Sequence, residues 1–224
     1  MPAAVSPPPG PVVGFDLDLT LVDSAGGIAA TLQACGVPTT AAEVVPHVGL
    51  PLEQVIAARL AALSRPAEPR VVAALVEDYR ARYPQTGIPG TRPLPGAASA
   101  LEAVRALVGR VAVVSAKAPH LLEAMLVEVG LDDAVDVTGG GLFAEAKGRL
   151  LAELGAHVYV GDHPGDVVAA HTCGALAVGV ATGPCTLAQL REAGADVALA
   201  DLTGFGVWLG DWWARRNETG GLHR

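Results

Sequence analysis

The sequence predicts an α/β fold, a parallel sheet covered by helices and interrupted once by an all-helical insertion. Three observations carry this. From about residue 96 onward, short β-rich runs alternate with stretches of helical length, the pattern that yields right-handed crossovers and a parallel sheet. Hydrophobic residues make up 51% of the chain and aromatics only 4%, so the core is mostly Ala, Val and Leu, as suits strands buried on both faces. Between residues 22 and 90 the alternation stops and the chain reads as helix throughout.

The elements follow in order. The start, "MPAAVSPPPGP", has neither a basic nor an apolar leader region. It reads as a disordered Pro-rich lead over residues 1–10, not a signal peptide. Pro11 to Asp16 forms the first strand. Ser24 can cap a helix through "AGGIAATLQAC". A second helix opens with Pro51 at its first position and sets Leu52, Val55, Ile56, Leu60 and Leu63 on one face. A third does the same with Val71, Val72, Leu75, Val76, Tyr79 and Tyr83. The Pro- and Gly-rich run from Gly87 to Gly96 then returns the chain to the sheet. Strands follow at Arg110 to Ser115, Ala134 to Thr138, "HVYVG", "ALAVGV" and "ADVALA". Between them lie helices opened by Pro119, Pro164 and a Thr186 cap, and closed by Gly130, Gly155, Gly174 and Gly194. The expected division is an α/β core from residues 1–21 and 91–224, with residues 22–90 as the helical insertion.

Charge and cysteine usage narrow the function. A net charge of −8 argues against a nucleic-acid or anionic-membrane surface, since both need clustered Lys and Arg. Cys35, Cys173 and Cys185 are far apart and form no CxxC, which makes a reducing cytoplasm the simplest home. No apolar run approaches the ~20 residues that span a bilayer. The chain has only two lysines, Lys117 and Lys147, among fifteen basic residues. A lysine kept in so arginine-rich a chain is a candidate for work arginine cannot do.

The candidate site begins with "VGFDLDLT", where Asp16 and Asp18 interrupt an apolar strand. Burying two unpaired carboxylates is costly, so a cation, a reacting phosphate or a salt bridge is expected to meet them. Strand alternation points both the same way, at the strand end where open α/β sheets bind ligands. In "VYVGDHPGDVV", Asp162 stands at another strand tip and Asp166 in the first turn of the next helix. Capping explains either of these alone; it does not explain four carboxylates converging on one sheet edge. Mg²⁺, a hard cation that prefers oxygen, suits them. Ser115 ends a strand on the same edge and can donate to a phosphate oxygen. Lys147, at the start of a helix, can neutralise phosphate and carboxylate together, and Lys117 is the second choice for that role. The tail carries Trp208, Trp212 and Trp213, read as a packed helix end in preference to a dimer contact.

D-x-D-x-T at Asp16, Asp18 and Thr20, then Ser115, Lys147, and G-D-x-x-x-D at Asp162 and Asp166, form an ordered set. It resembles the haloacid dehalogenase superfamily over roughly residues 11 to 209. The helical insertion looks like the C1 cap of its phosphoglycolate-phosphatase-like branch, placed on a Rossmann-like core. The resemblance implies that Asp16 attacks phosphorus and that Asp18 protonates the leaving alcohol and then activates water. It implies Mg²⁺ held by Asp16, the Asp18 backbone carbonyl and Asp162, with Asp166 supporting. Thr20, Ser115 and Lys147 would hold the phosphoryl oxygens. The chain departs from the family pattern at Ala116, where many relatives have Asn, and at Gly148, where Pro is common. The implied activity is a cytoplasmic phosphatase of a small phosphorylated metabolite, such as phosphoglycolate, working as a monomer or homodimer. The alternatives are a phosphomutase of the same family and a non-catalytic binding protein on the same scaffold.

Overall fold

The computed structural model describes residues 10–220; the expected disordered lead, residues 1–10, lies outside them but for Gly10. Strand β1 (Val12–Phe15) leads into a two-residue strand β2 (Val22–Asp23) and four helices: α1 (Ala25–Ala34), α2 (Ala41–Val44), α3 (Leu52–Ala62) and α4 (Pro69–Thr86). The chain returns through β3 (Arg92–Pro93), which pairs antiparallel with β2, Val22 opposite Pro93 and Asp23 opposite Arg92. The remainder runs α5 (Ala97–Ala106), β4 (Arg110–Val114), α6 (Pro119–Glu128), β5 (Val137–Gly139), α7 (Glu145–Leu154), β6 (Val158–Gly161), α8 (Pro164–Thr172), β7 (Leu176–Val180), α9 (Leu187–Glu192), β8 (Val197–Leu199) and α10 (Phe205–Gly220).

The large sheet is parallel, in the order β5-β4-β1-β6-β7-β8. Counting its strands along the chain, this is the 3-2-1-4-5-6 order of a Rossmann-like fold, with its switch point beside the first strand. Residues alternate between the two faces. Val13, Phe15, Val111, Val113, Val158 and Val160 enter the larger core with α5, α6 and α10. Val12, Ala112, Val114 and Tyr159 enter the smaller one with α7 and α8. The insertion shares the larger core: Ile28, Val44, Ile56, Leu60, Val76 and Tyr83 are all buried there. Among the described residues, no helix is long and apolar enough to cross a membrane.

Local differences from the sequence reading have physical causes. Ser24 occupies the N-cap of α1 but makes no capping bond. It lies in the αR region (φ −103°, ψ −7°), not the extended conformation that aims a cap side chain at the first turn. Pro51 precedes α3 as its N-cap residue, one position earlier than expected. The strand expected at Ala134 to Thr138 forms only over Val137–Gly139, because Asp132–Ala134 close a 3₁₀ turn. The three tryptophans pack along α10, Trp208 stacked on Trp212 and Trp213 edge-on to His157.

Candidate active site

The switch point of the sheet sets the site. The Asp16 N–H donates to the Val160 carbonyl at 2.8 Å, carrying the β1–β6 ladder one residue past the strand and placing Asp16 beside Asp162. Beyond Asp16 the chain turns tightly: Leu21 N and Val22 N both donate to Leu17 O, and Leu19 adopts φ +58°. A left-handed leucine is strained; here its own carbonyl is held by the Thr182 hydroxyl at 2.6 Å. Asp166 comes from the first turn of α8. Asp16, Asp162 and Asp166 are buried, and one carboxylate oxygen from each lies within 4.8 Å of the others.

One lysine sits inside this cluster. Lys147, in the first turn of α7, donates to Asp16 Oδ1 at 2.8 Å and to Asp166 Oδ1 at 2.7 Å. The turn that presents it is itself strained, with Ala144 at φ +44° before the helix. Burial disfavours the Lys147 charge, but the Asp16 and Asp166 carboxylates outweigh it and hold its pKa well above the ordinary lysine range. The second oxygen of Asp166 accepts from the His163 N–H at 3.2 Å.

Within this cluster Asp16 Oδ2 and Asp162 Oδ2 are buried and make no hydrogen bond. Burial, against the pull of Lys147, raises the Asp16 pKa to about 6. Burial together with the Asp16 and Asp166 charges raises Asp162 well above the carboxylate range. A site built of buried, under-neutralised oxygen donors fits a hard divalent cation. Thr20 donates to Asp162 Oδ1 at 3.0 Å. Its hydroxyl, expected from the sequence to meet phosphate, thus orients a carboxylate.

The other side of the site faces the helical insertion. Asp18 Oδ1 lies 3.1 Å from Lys117 Nζ, an ion pair that is not aligned as a hydrogen bond. Lys117 Nζ also donates to the Tyr83 hydroxyl of α4 at 3.1 Å. Burial disfavours the Lys117 charge, yet Asp18 and Tyr83 raise its pKa above the ordinary value. The Ser115 hydroxyl accepts from Lys117 N–H at 3.3 Å. Both lysines are therefore at the site, Lys147 on the Asp16 side and Lys117 on the Asp18 side. His163 caps α8, its Nδ1 accepting from Gly165 N–H at 2.9 Å, the role the sequence had suggested for Asp162. Its ring stands against Gly49 of the insertion. Between insertion and core lies a small cleft of about 60 Å³, lined among others by Asp18, Ser115 and Lys117.

All eight residues expected from the sequence thus collect at this sheet edge and its cleft. Tyr83 and Gly183 were missed. Tyr83 fits the apolar stripe of its helix and so reads as core, although a tyrosine hydroxyl there needs a partner. Gly183 is needed because a Cβ at that position would overlap Asp162 Oδ2.

Comparison with known proteins bears on this geometry. A family model described as haloacid dehalogenase-like hydrolase matches residues 13–171, and a second HAD-hydrolase-like model matches residues 139–204. The chain is 31% identical over 201 residues to "Probable phosphatase IndB" of Dickeya dadantii, covering 82% of this chain and 86% of that protein. It is 30% identical over 225 residues to the tyrosine-protein kinase PtkA of Mycobacterium tuberculosis, covering 85% and 75%. A haloacid dehalogenase-like family protein of Streptococcus pneumoniae superposes with TM-score 0.73 at 22% identity, over 88% of this chain and 97% of that one; it shares the fold.

Proposed function

We propose, from the premise that this chain belongs to the haloacid dehalogenase-like hydrolase family, that it is a Mg²⁺-dependent phosphatase of a small phosphate monoester. The observation that carries this reading is the buried Asp16, Asp162 and Asp166 cluster around Lys147, with an unpartnered oxygen on Asp16 and on Asp162. Asp16, Asp162 and the Asp18 backbone carbonyl would hold Mg²⁺, with Asp166 supporting. When bound, the cation supplies positive charge that neutralises the phosphoryl oxygens.

The chain's own residues account for the rest. Lys147 fixes Asp16 through Oδ1 and keeps it ionised for attack on phosphorus. Ser115 and Lys147 bind phosphoryl oxygens, which is the positioning and charge neutralisation that phosphoryl transfer needs. Asp18, on the cleft side, takes up a proton from solvent before reaction and gives it to the departing alcohol oxygen as the Asp16–phosphorus bond forms. It then takes a proton from water as the water oxygen bonds to phosphorus and Asp16 is released. Lys117, ion-paired to Asp18, orients that carboxyl group. The insertion, residues 22–90, acts as a cap on the β2–β3 stem, closing over substrate and excluding all but the attacking water.

The test is release of inorganic phosphate from a panel of small phosphate esters with Mg²⁺. Release that vanishes with EDTA and in Asp16→Asn supports the proposal. Isomerisation of a sugar phosphate without net release would instead identify a mutase. Full activity after exhaustive chelation would show that the reaction needs no metal.

A further inference from the structure

We infer that the cleft between insertion and core is a leaving-group pocket for an apolar alcohol, so that the substrate is the phosphate monoester of a compact aliphatic alcohol. This rests on the phosphatase reading for its chemistry, but on the cleft alone for its specificity. Asp18 and Ser115 line the cleft, and Asp18 is the group from which the departing oxygen would take its proton. Away from those two residues its wall is largely aliphatic, from both partners: Ile28, Val44, Val48, Leu52 and Val55 of the insertion and Leu121 of α6. Ligand pockets gain affinity from such walls and orientation from a few polar groups, and the small volume limits the group to a compact one.

Of the polar side chains that line it besides Asp18 and Ser115, the two charged ones are already engaged, and Tyr79 adds a hydroxyl. Lys117 is held by Asp18 and Tyr83. Arg80 is the one insertion arginine that lines the cleft, and it lies 3.6 Å from Glu53. The other four point elsewhere: Arg59 to Glu43, Arg70 to Glu68, Arg82 to Asp78 and Arg65 to the Gly36 carbonyl. A polyhydroxylated or carboxylate-bearing leaving group would lose water against Val and Leu side chains and find the Tyr79 hydroxyl but no free charge to repay it, which is costly. A short alkyl group would exchange water for those same side chains with gain.

The experiment pairs binding with turnover. Methyl-, ethyl-, propyl- and butylphosphonate, with phosphonoacetate as the polar arm, are titrated calorimetrically into the protein with Mg²⁺. The matching alkyl phosphates and phosphoglycolate are assayed for phosphate release. Affinity is expected to rise about fourfold per added methylene, the worth of one buried CH₂, with phosphonoacetate weaker than propylphosphonate. Leu52→Gln and Val55→Thr are expected to flatten that rise, with unchanged circular dichroism. A flat series, no binding of any alkylphosphonate, or tightest binding of phosphonoacetate overturns the inference. So does an unaltered slope in both variants. A rising series without phosphate release from any ester overturns the phosphatase reading and leaves the apolar pocket standing.

Discussion

Replacing Lys147 by Met keeps much of the side-chain length and removes the charge, so it isolates what the ammonium contributes. Lys147 Nζ lies 2.8 Å from Asp16 Oδ1 and 2.7 Å from Asp166 Oδ1, and all three side chains are 5% exposed or less. At such burial, breaking an ion pair by removing one partner costs about 3–5 kcal/mol, because the remaining charge is stranded. Two carboxylates are stranded here, with Asp162 close by. Lys147→Met is therefore expected to unfold in urea with a stability at least ~3 kcal/mol below wild type when EDTA is present. Saturating Mg²⁺ should recover part of that, since a ligand at 100 times its Kd stabilises the folded state by about 2.7 kcal/mol. Lys147→Arg keeps the charge and separates charge from shape. A loss under about 1 kcal/mol in Lys147→Met, the worth of an exposed pair, would refute the buried-cluster reasoning.

Three further outcomes are expected. Asp18→Asn should slow turnover of alkyl phosphates by ~10²–10⁴-fold, the usual worth of general acid–base help, and single-turnover kinetics should place the loss in proton-dependent steps; unchanged rates would remove Asp18 from that role. Gly183→Ala should abolish Mg²⁺-dependent stabilisation, because the added Cβ overlaps Asp162 Oδ2, and a wild-type Mg²⁺ shift in Tm would show that this close approach does not matter. Burial and the Arg216 charge lower the His157 pKa, and the Val12 N–H donates to its Nδ1 at 3.1 Å. The unfolded chain then takes up the proton first as pH falls through about 6.5, so stability drops below that pH. The gap between wild type and His157→Asn should therefore change between pH 7.5 and about 5.5; a constant gap would contradict this.

The sheet was legible because its strands are continuous apolar runs punctuated by Gly and Pro. β6 ends at Gly161 and α8 begins at Pro164, which fixes Asp162 between them. The candidate site was legible for the same reason: Asp16, Ser115 and Asp162 all directly follow strands. What crosses between chain segments was not. Nothing near Lys117 signals that Tyr83, 34 positions away, meets its ammonium. Nor does the sequence show that the insertion arginines meet Glu43, Glu53, Glu68, Asp78 and the Gly36 carbonyl. Thr20 is three-dimensional information of the same kind, since its partner Asp162 lies 142 positions away.

In the proposed reaction Asp16 carries the phosphoryl group. The direct measurement uses Asp18→Asn with an aryl phosphate, whose leaving group needs little protonation, so that phosphorylation proceeds while hydrolysis is slowed. The reaction is quenched in acid, and the peptide containing Asp16 is examined by mass spectrometry. One phosphoryl group is expected on Asp16, dependent on Mg²⁺ and absent when Asp16→Asn is added to the same variant. Release of the phenol with no phosphoryl group on the protein, or with one on any other residue, would contradict it.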